Sequence, residues 1–285
     1  MADGRQTAGS VWGEGYLVTL LAKQGGVDLF LEGKGLIITS VSIYKPLQLG
    51  IPTQYKQHVS YKEFYPRVKS PVYCFWSLYA REVLKEDFHY LVLPDACVDI
   101  VFDMSQKPTF EGALVMTPCT VASTLNLGKE FSYVGIRLLP GAWQEQPSDV
   151  VGQALHLSYL KDCDFRRMRQ ELQGAETGKR HTILEGLVTS FEQRGVISVT
   201  SFGGTVSPCQ TVEAYTRLWN LSRRHTQRLF QRRFGYAPHD FIKITRFQQS
   251  LRQGTFDAYT DQAHYIREFK RITTMTPREF QATYR

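Results

Sequence analysis

Short apolar runs alternate with turn residues through the first half of the chain. The runs are rich in β-branched and aromatic residues and are separated by Gly, Pro, Asn and Asp, a pattern that predicts strands. They cover residues 16–22, 27–33, 35–44, 72–80, 90–104, 113–117 and 133–139. Because many short strands at this spacing are typical of closed or two-layered β folds, we expect a cupin-like sandwich or barrel over residues 14–138.

The pattern becomes helical from about Asp149 onward. Two apolar stripes follow: the first holds Phe165, Met168 and Leu172, and the second holds Ile183, Leu184, Leu187, Val188 and Phe191. Either stripe suits packing on the chain's own β domain or on a second copy of the chain. Residues 195–209, rich in Gly, Ser and Thr, are the best candidate for a linker.

The segment after this linker predicts two helices joined by a tight turn. Thr211 is placed to cap a helix that ends near Trp219, and Ser222 caps a second helix that stops at Gly235. This is the helix-turn-helix pattern, in which the second helix enters the major groove of DNA.

The second helix has an inner and an outer face. Thr226, Leu229, Phe230, Arg233 and Phe234 point inward or flank the core. The side chains that we expect at bases and phosphates are Arg223, Arg224, His225, Gln227, Arg228 and Gln231. An Arg side chain can form two hydrogen bonds with guanine, and a Gln side chain can form two with adenine. An amphipathic helix whose polar face is only exposed to solvent would show the same pattern of residues.

A long helix is predicted from Pro238 to about Gln253, followed by an element over 260–272 capped by Thr260. The inward stripe of that element is Tyr265, Phe269 and Ile272. Its outward positions, available to a second groove, are Gln262, Ala263, Ile266 and Arg267. Thr276 and Pro277 begin a last short helix.

Positive charge is concentrated in this C-terminal part. Residues 201–285 contain twelve Arg and two Lys against six acidic residues, a net charge of +8, whereas the whole chain carries +7 and residues 1–200 therefore −1. A basic segment attached to a nearly neutral remainder of the chain is typical of nucleic-acid-binding proteins. Neutralisation of phosphates by Lys and Arg supplies most of the non-specific affinity for nucleic acid. A cationic surface that is merely exposed to solvent, and binds no nucleic acid, would give the same excess of positive charge.

The sequence lacks the common catalytic and metal-binding motifs. GxSxG, GxxxxGK[ST], GxGxxG and HExxH are absent, and the five cysteines are scattered singly, which predicts reduced, buried thiols. Asp95, Asp99 and Asp103 lie close together, and we expect turn and surface roles for them. The aromatic residues from Tyr73 to Tyr79 either line a ligand pocket or form ordinary core. We expect no enzyme activity, cofactor or metal.

No apolar stretch approaches the roughly 18 to 20 residues of a membrane span. The first sixteen residues also lack the apolar region of a secretory signal. We therefore expect a cytoplasmic protein that does not contact a membrane.

Residues 211–285 resemble the paired helix-turn-helix domain of AraC-type (AraC/XylS family) transcription regulators. The matching residues are Ser222-Arg-Arg, Gln227-Arg228-Leu-Phe230, Gly235 with Pro238 and Phe241, Arg246-Phe-Gln, Asp261-Gln-Ala-His264, Arg267-Glu-Phe269-Lys-Arg and Met275-Thr-Pro277-Arg-Glu-Phe280. Residues 61–66, 93–104 and 134–143 resemble the regulatory domain of one branch of the family. The resemblance implies a sequence-specific regulator that binds double-stranded DNA, a small-molecule effector and RNA polymerase.

The chain departs from this family at three places. Only GTFDAY (254–259) lies between the long helix and the element at 260–272, where the family has another helix, so roughly a dozen residues are missing. The inward stripe of that element must then rest on the long helix, Met275 and Phe280 alone. Thr226 replaces a usual leucine, and Thr274 stands where glycine is common.

The predicted fold is α+β: a mostly β domain with helices, then an all-α helix-turn-helix domain with a shortened second unit. We expect an extension of unknown role over 1–60, a ligand-sensing domain over 61–195 and a DNA-binding domain over 205–285. We favour a homodimer, since paired half-sites raise affinity. The alternatives are an AraC-like interaction protein that acts through a protein partner, and a β-barrel enzyme with a basic appendage.

Overall fold

The computed structural model describes residues 22–24, 27–32, 35–40, 44–66, 70–145, 151–160, 162–199 and 211–285. Within these ranges every strand precedes residue 157, and residues 211–285 contain helices and turns. The predicted α+β arrangement, a mostly β region followed by an all-α domain, is confirmed. The predicted run at 16–22 and the linker at 195–209 lie largely outside the described residues.

The strands of the described ranges form three antiparallel sheets. Their bounds are β1 (Ala22–Gln24), β2 (Val27–Glu32), β3 (Gly35–Ser40), β4 (Val59–Phe64), β5 (Val72–Ala80), β6 (His89–Val92), β7 (Val98–Asp103), β8 (Leu114–Met116), β9 (Ser123–Asn126), β10 (Ser132–Leu138) and β11 (Ala154–His156). One sheet has the order β1-β2-β3, the central six-stranded sheet has the order β11-β8-β7-β10-β5-β4, and β6 pairs with β9.

Seven α-helices are described. Their bounds are α1 (Phe165–Gln173), α2 (Thr177–Gln193), α3 (Val212–Leu218), α4 (Arg223–Phe234), α5 (Pro238–Gln253), α6 (Gln262–Thr273) and α7 (Pro277–Tyr284). β4 begins at Val59, so this strand runs across the boundary at residue 60 that the sequence suggested. The division into three domains is retained as a proposal.

Helices α1 and α2 cover one face of the central sheet. Alternate residues of β7, such as Ile100 and Phe102, are fully buried in the same cluster as Leu172, Leu187 and Phe191 of the two helices. The apolar stripes of α1 and α2 therefore pack on the chain's own β domain. Of the two arrangements that the sequence left open, packing on the chain's own β domain or on a second copy of the chain, the structure shows the first.

The β and helical domains share two apolar clusters. In the first, Tyr44 and Cys97 of the β domain pack with Phe234 and Phe241 of the helical domain. In the second, Leu91 and Leu93 pack with residues of α5, α6 and α7. Burial of this kind removes apolar area from water on both sides, so the two domains stabilise one another.

Candidate nucleic-acid interface and ligand cavity

Helices α3 and α4 form the predicted helix-turn-helix unit. Thr211 Oγ1 accepts a hydrogen bond from the Ala214 amide at 3.2 Å, and Ser222 Oγ accepts one from the His225 amide at 3.3 Å. Gly235 ends α4 with a φ of 76°, a left-handed conformation that glycine adopts without a steric cost. Both predicted N-terminal caps and the C-terminal glycine are confirmed.

An aromatic core fixes the position of α4. The ring of Phe230 lies 5.3 Å from those of Tyr215 in α3 and Phe241 in α5, and the rings of Phe234 and Phe241 lie 4.7 Å apart. Contacts of this geometry add to the free energy of burial. Helix α4 is thus held by both neighbouring helices, which leaves its opposite face to solvent.

The exposed face of α4 carries the predicted side chains. Arg223, Arg224, His225, Gln227, Arg228 and Gln231 are all exposed. Arg232, which the sequence analysis did not single out, is exposed too and lines a shallow groove with His225, Arg228 and Gln231. Its position four residues after Arg228 on one helix face was the available signal. Gln231 Nε2 also donates to the Gly235 carbonyl at 2.7 Å.

The inner face of α4 contains one polar side chain that is fully buried. Thr226 is 0% exposed, and its hydroxyl has no hydrogen-bond partner among the residues that the structure describes. A leucine or valine at this position would bury no polar atom. The threonine at this position therefore lowers the stability of the helix-turn-helix unit.

Helix α6 begins one residue later than expected. Asp261, not Thr260, is its N-cap, and Asp261 Oδ1 accepts from the His264 amide at 2.7 Å. The carboxylate prevails because it combines a capping bond with a negative charge at the positive end of the helix dipole. The predicted outward residues Gln262, Ala263, Ile266 and Arg267 are all exposed.

No helix is described between Gln253 and Gln262, as the sequence predicted. The short connection instead folds two aromatic rings onto α6: those of Phe256 and Tyr259 lie 6.3 Å and 5.3 Å from the ring of Tyr265. These rings cover part of the surface that a preceding helix would cover.

The β domain also supports α6. Phe269 and Ile272 are buried in the cluster that contains Leu91 and Leu93, and the Ala122 amide donates to the Ile272 carbonyl at 2.8 Å. The expectation that the inward stripe rests on α5, Met275 and Phe280 alone is wrong. Contacts between residues more than a hundred positions apart are not visible in a local helical pattern.

A cavity of about 410 Å³ lies in the β domain, between the central sheet and the β6–β9 pair. Such a volume falls within the range of small-molecule sites. Apolar side chains from both layers form most of its wall: Leu78, Val92, Val101, Phe110, Leu114, Met116, Leu125 and Leu127. Trp76, from the aromatic run singled out in the sequence, lines the cavity, while Phe75 packs in the core on the helix side.

Charged groups cluster at one end of this cavity. Arg137 is buried, and its Nε lies 3.1 Å from Asp99 Oδ1 and 3.5 Å from Asp95 Oδ2. Its Nη1 lies 3.7 Å from Glu63 Oε1. Burial raises the pKa of the Asp99 carboxyl above its ordinary value, although Arg137 lowers it in part.

The surface roles expected for the three aspartates are wrong. Asp95 is 5% exposed and Asp103 0%, because β7 is covered on both faces. The turn roles of Asp95 and Asp103 are correct, because Asp95 Oδ1 accepts from the Cys97 amide and Asp103 Oδ1 from the Ser105 amide. Asp99 lies within β7 and has no turn role. Arg137, which the sequence analysis did not select, joins Asp95 and Asp99 through the pairing of β10 with β7.

The described residues contain no group of three His, Cys, Asp or Glu side chains placed to hold a metal ion. Cys74 and Cys97 are buried, and burial raises the pKa of both thiols. Among the helices that the structure describes, none has the length and apolar character to cross a membrane.

Residues 65–146 match a family model described as a domain of unknown function (DUF6597). None of the curated proteins is similar enough in sequence to count as a match.

Three solved structures of ToxT from Vibrio cholerae are similar to this chain. One, at 1.65 Å resolution, is similar over 78% of this chain and 97% of its own, with 9% identity and a TM-score of 0.34. An apo variant from strain SCE256 is 11% identical over 80% and 97%, with a TM-score of 0.35. The wild-type protein of that strain, bound to an unsaturated fatty acid, is 9% identical over 78% and 93%, with a TM-score of 0.30. Similarity this low transfers no functional residue to this chain.

Proposed function

We propose that this protein is a sequence-specific DNA-binding transcription regulator of the AraC type. Helix α4 reads a major groove, α6 contributes a second and weaker contact, and the β domain senses a ligand. The observation that carries the proposal is the exposed face of α4, which presents Arg224, Arg228 and Gln227 from a helix packed on two others.

The electrostatics of the helical domain support this proposal. Helix α4 contains five Arg and no acidic residue, and the surrounding segment carries a net charge of +8. A high local density of exposed guanidinium groups favours phosphates, and an Arg fork distinguishes guanine from the other bases. The ordered AraC-like motifs over residues 211–285 point to the same role.

The β domain supplies the regulatory half of the proposal. Its largely apolar cavity suits a small-molecule effector, and the clusters that the β domain shares with α5 and α6 give a bound ligand a route to the DNA-binding helices. We also propose a cytoplasmic homodimer that contacts RNA polymerase. The dimer surface lies outside the apolar stripes of α1 and α2, which are buried within the chain.

Selection of binding sites from random duplex DNA tests the proposal. The full chain should enrich a defined site, and Arg224→Ala or Arg228→Ala should each lose about 1 to 3 kcal/mol of affinity for it and relax the preference at one or two base pairs. Arg81→Ala, which removes an exposed charge from the β domain, is the matched control and should bind normally. Selection without enrichment, or full affinity in both α4 variants, would refute the assignment.

The alternative is an AraC-like protein that acts through a protein partner. The missing helix before α6 favours it, because the second reading unit lacks its own supporting helix and rests on the β domain instead. The same selection separates the two functions: an interaction protein would enrich no DNA sequence.

A further inference from the structure

The polar end of the β-domain cavity has an imbalance of charge. Three carboxylates, those of Glu63, Asp95 and Asp99, lie within 3.7 Å of the Arg137 guanidinium. Among the described residues that line the cavity, Arg137 is the only one with a cationic side chain. The cluster therefore holds three acidic side chains around a single basic one.

An anionic ligand does not suit this arrangement. The Nε of Arg137 already donates to Asp99 Oδ2 at 3.2 Å, and its Nη1 donates to the Tyr61 hydroxyl at 3.2 Å. A carboxylate or phosphate entering here would add a negative charge to a buried cluster that already has an excess of them. Repulsion between like charges is strong where water is excluded.

A cation, in contrast, would balance the cluster. Asp99 lines the cavity and accepts one bond from Trp76 Nε1 at 2.6 Å besides those from Arg137. A carboxylate offers about four acceptor positions, so Asp99 keeps capacity for one more donor. Its carboxyl is the acidic group that reaches the cavity wall.

Aromatic rings surround the same end of the cavity. Tyr61, Trp76 and Tyr90 line it, and the rings of Tyr61 and Trp76 lie 6.4 Å apart. The faces of such rings attract cations, and an ammonium group held between aromatic rings and a carboxylate gains from both. The rest of the wall is apolar and suits a hydrocarbon body.

We infer that the β-domain cavity binds a small amphipathic ammonium compound, with its charged group at Asp99 and its hydrocarbon part between Leu114, Met116 and Leu125. This inference rests on the sensing role proposed above and names the chemistry of the ligand. A protonated amine donates to the Asp99 carboxylate, and the apolar body replaces water along the cavity wall.

Calorimetric titration of the full chain with three probes of equal length tests this inference. At pH 7, octylammonium should bind at least about tenfold more tightly than octanoate or 1-octanol, because only the ammonium group donates a charged hydrogen bond to the Asp99 carboxylate. Asp99→Asn should remove this preference, whereas Asp162→Asn, at an exposed carboxylate outside the cavity, should keep it.

Leu114→Trp provides a second test that leaves the charged cluster intact. Its larger side chain should fill the cavity and abolish binding of all three probes, and circular dichroism of each variant checks the fold. Octanoate binding as tightly as octylammonium, absence of binding by all three, or unchanged octylammonium binding in a folded Asp99→Asn or Leu114→Trp variant would overturn the inference. DNA selection is measured separately, so failure of ligand binding and failure of the proposed function are distinguishable.

Discussion

The side-chain amide of Gln248 pairs with both main-chain polar groups of Leu47, although the two residues are 201 positions apart. The Leu47 amide donates to Gln248 Oε1 at 2.7 Å, and Gln248 Nε2 donates to the carbonyls of Leu47 at 3.3 Å and Pro94 at 2.9 Å. One side chain of α5 thereby satisfies polar groups of two β-domain segments at the boundary between the domains.

Replacing this amide should weaken the contact between the β domain and the helical domain. Gln248→Leu leaves the Leu47 amide and two carbonyls without their partner, and we expect a loss of about 2 to 3 kcal/mol in the free energy of unfolding. Gln253→Leu, at an exposed position of the same helix, is the control and should change stability little. Urea denaturation measures both, and equal stabilities would contradict the role assigned to Gln248.

The two reading helices should contribute unequally to DNA binding. Helix α4 packs on α3 and α5, whereas α6 lacks a preceding helix and is held by the connection at 254–261 and by the β domain. Arg267→Ala should therefore lower the affinity for a selected DNA site much less than Arg228→Ala. Gel-shift titrations compare the two, and equal losses would show that the shortened second unit is a full reader.

Because the β domain supports α6, shortening a buried β-domain side chain should loosen α6 more than α4. Leu93 is 1% exposed, and Leu93→Ala should cost about 2 to 5 kcal/mol while speeding amide exchange in α6 more than in α4. Leu184→Ala, an equally buried truncation on the α2 side, is the control. Hydrogen exchange followed by mass spectrometry measures each helix, and a uniform change in both variants would disprove the selective support.

The buried hydroxyl of Thr226 offers a stabilising substitution. Thr226→Val keeps the shape of the side chain and removes a polar atom without a partner among the described residues, so the free energy of unfolding should rise by about 1 kcal/mol. Thr245→Val is the matched control, because Thr245 Oγ1 donates to the Ile242 carbonyl at 3.0 Å and should lose stability. Thermal denaturation distinguishes the two, and destabilisation by Thr226→Val would mean that its hydroxyl is satisfied.

Thr274 ends α6 in a conformation that glycine prefers. Its φ is 65°, where the β-carbon of a branched residue clashes with the backbone, so Thr274→Gly should stabilise the protein by about 1 kcal/mol. Thr283→Gly, inside α7, should be destabilising because glycine is a poor helix former. Parallel melting curves show the sign of each change, and a loss of stability at Thr274 would contradict the strain argument.

The local features of this protein can be predicted from its amino-acid sequence alone. Apolar periodicity and capping residues placed the β-rich half and α4 correctly, with its inner and outer faces, because these follow from contacts within a few residues. Even the missing helix before α6 was visible as a shortage of residues between Gln253 and Gln262. The exposed candidates on α4 and α6 followed from the same periodicity.

The partners of buried charged groups and of apolar helix faces could be identified only in the folded structure, because they lie far away along the chain. Asp95 and Asp99 have an ordinary turn-and-strand pattern, and only the pairing of β10 with β7 brings Arg137 between them and converts a presumed surface group into a buried cluster. The stripes of α1 and α2 were compatible with either a second copy or the chain's own sheet, and packing in three dimensions selected the sheet. Local periodicity specifies which face is apolar, but its partner depends on how distant segments are brought together.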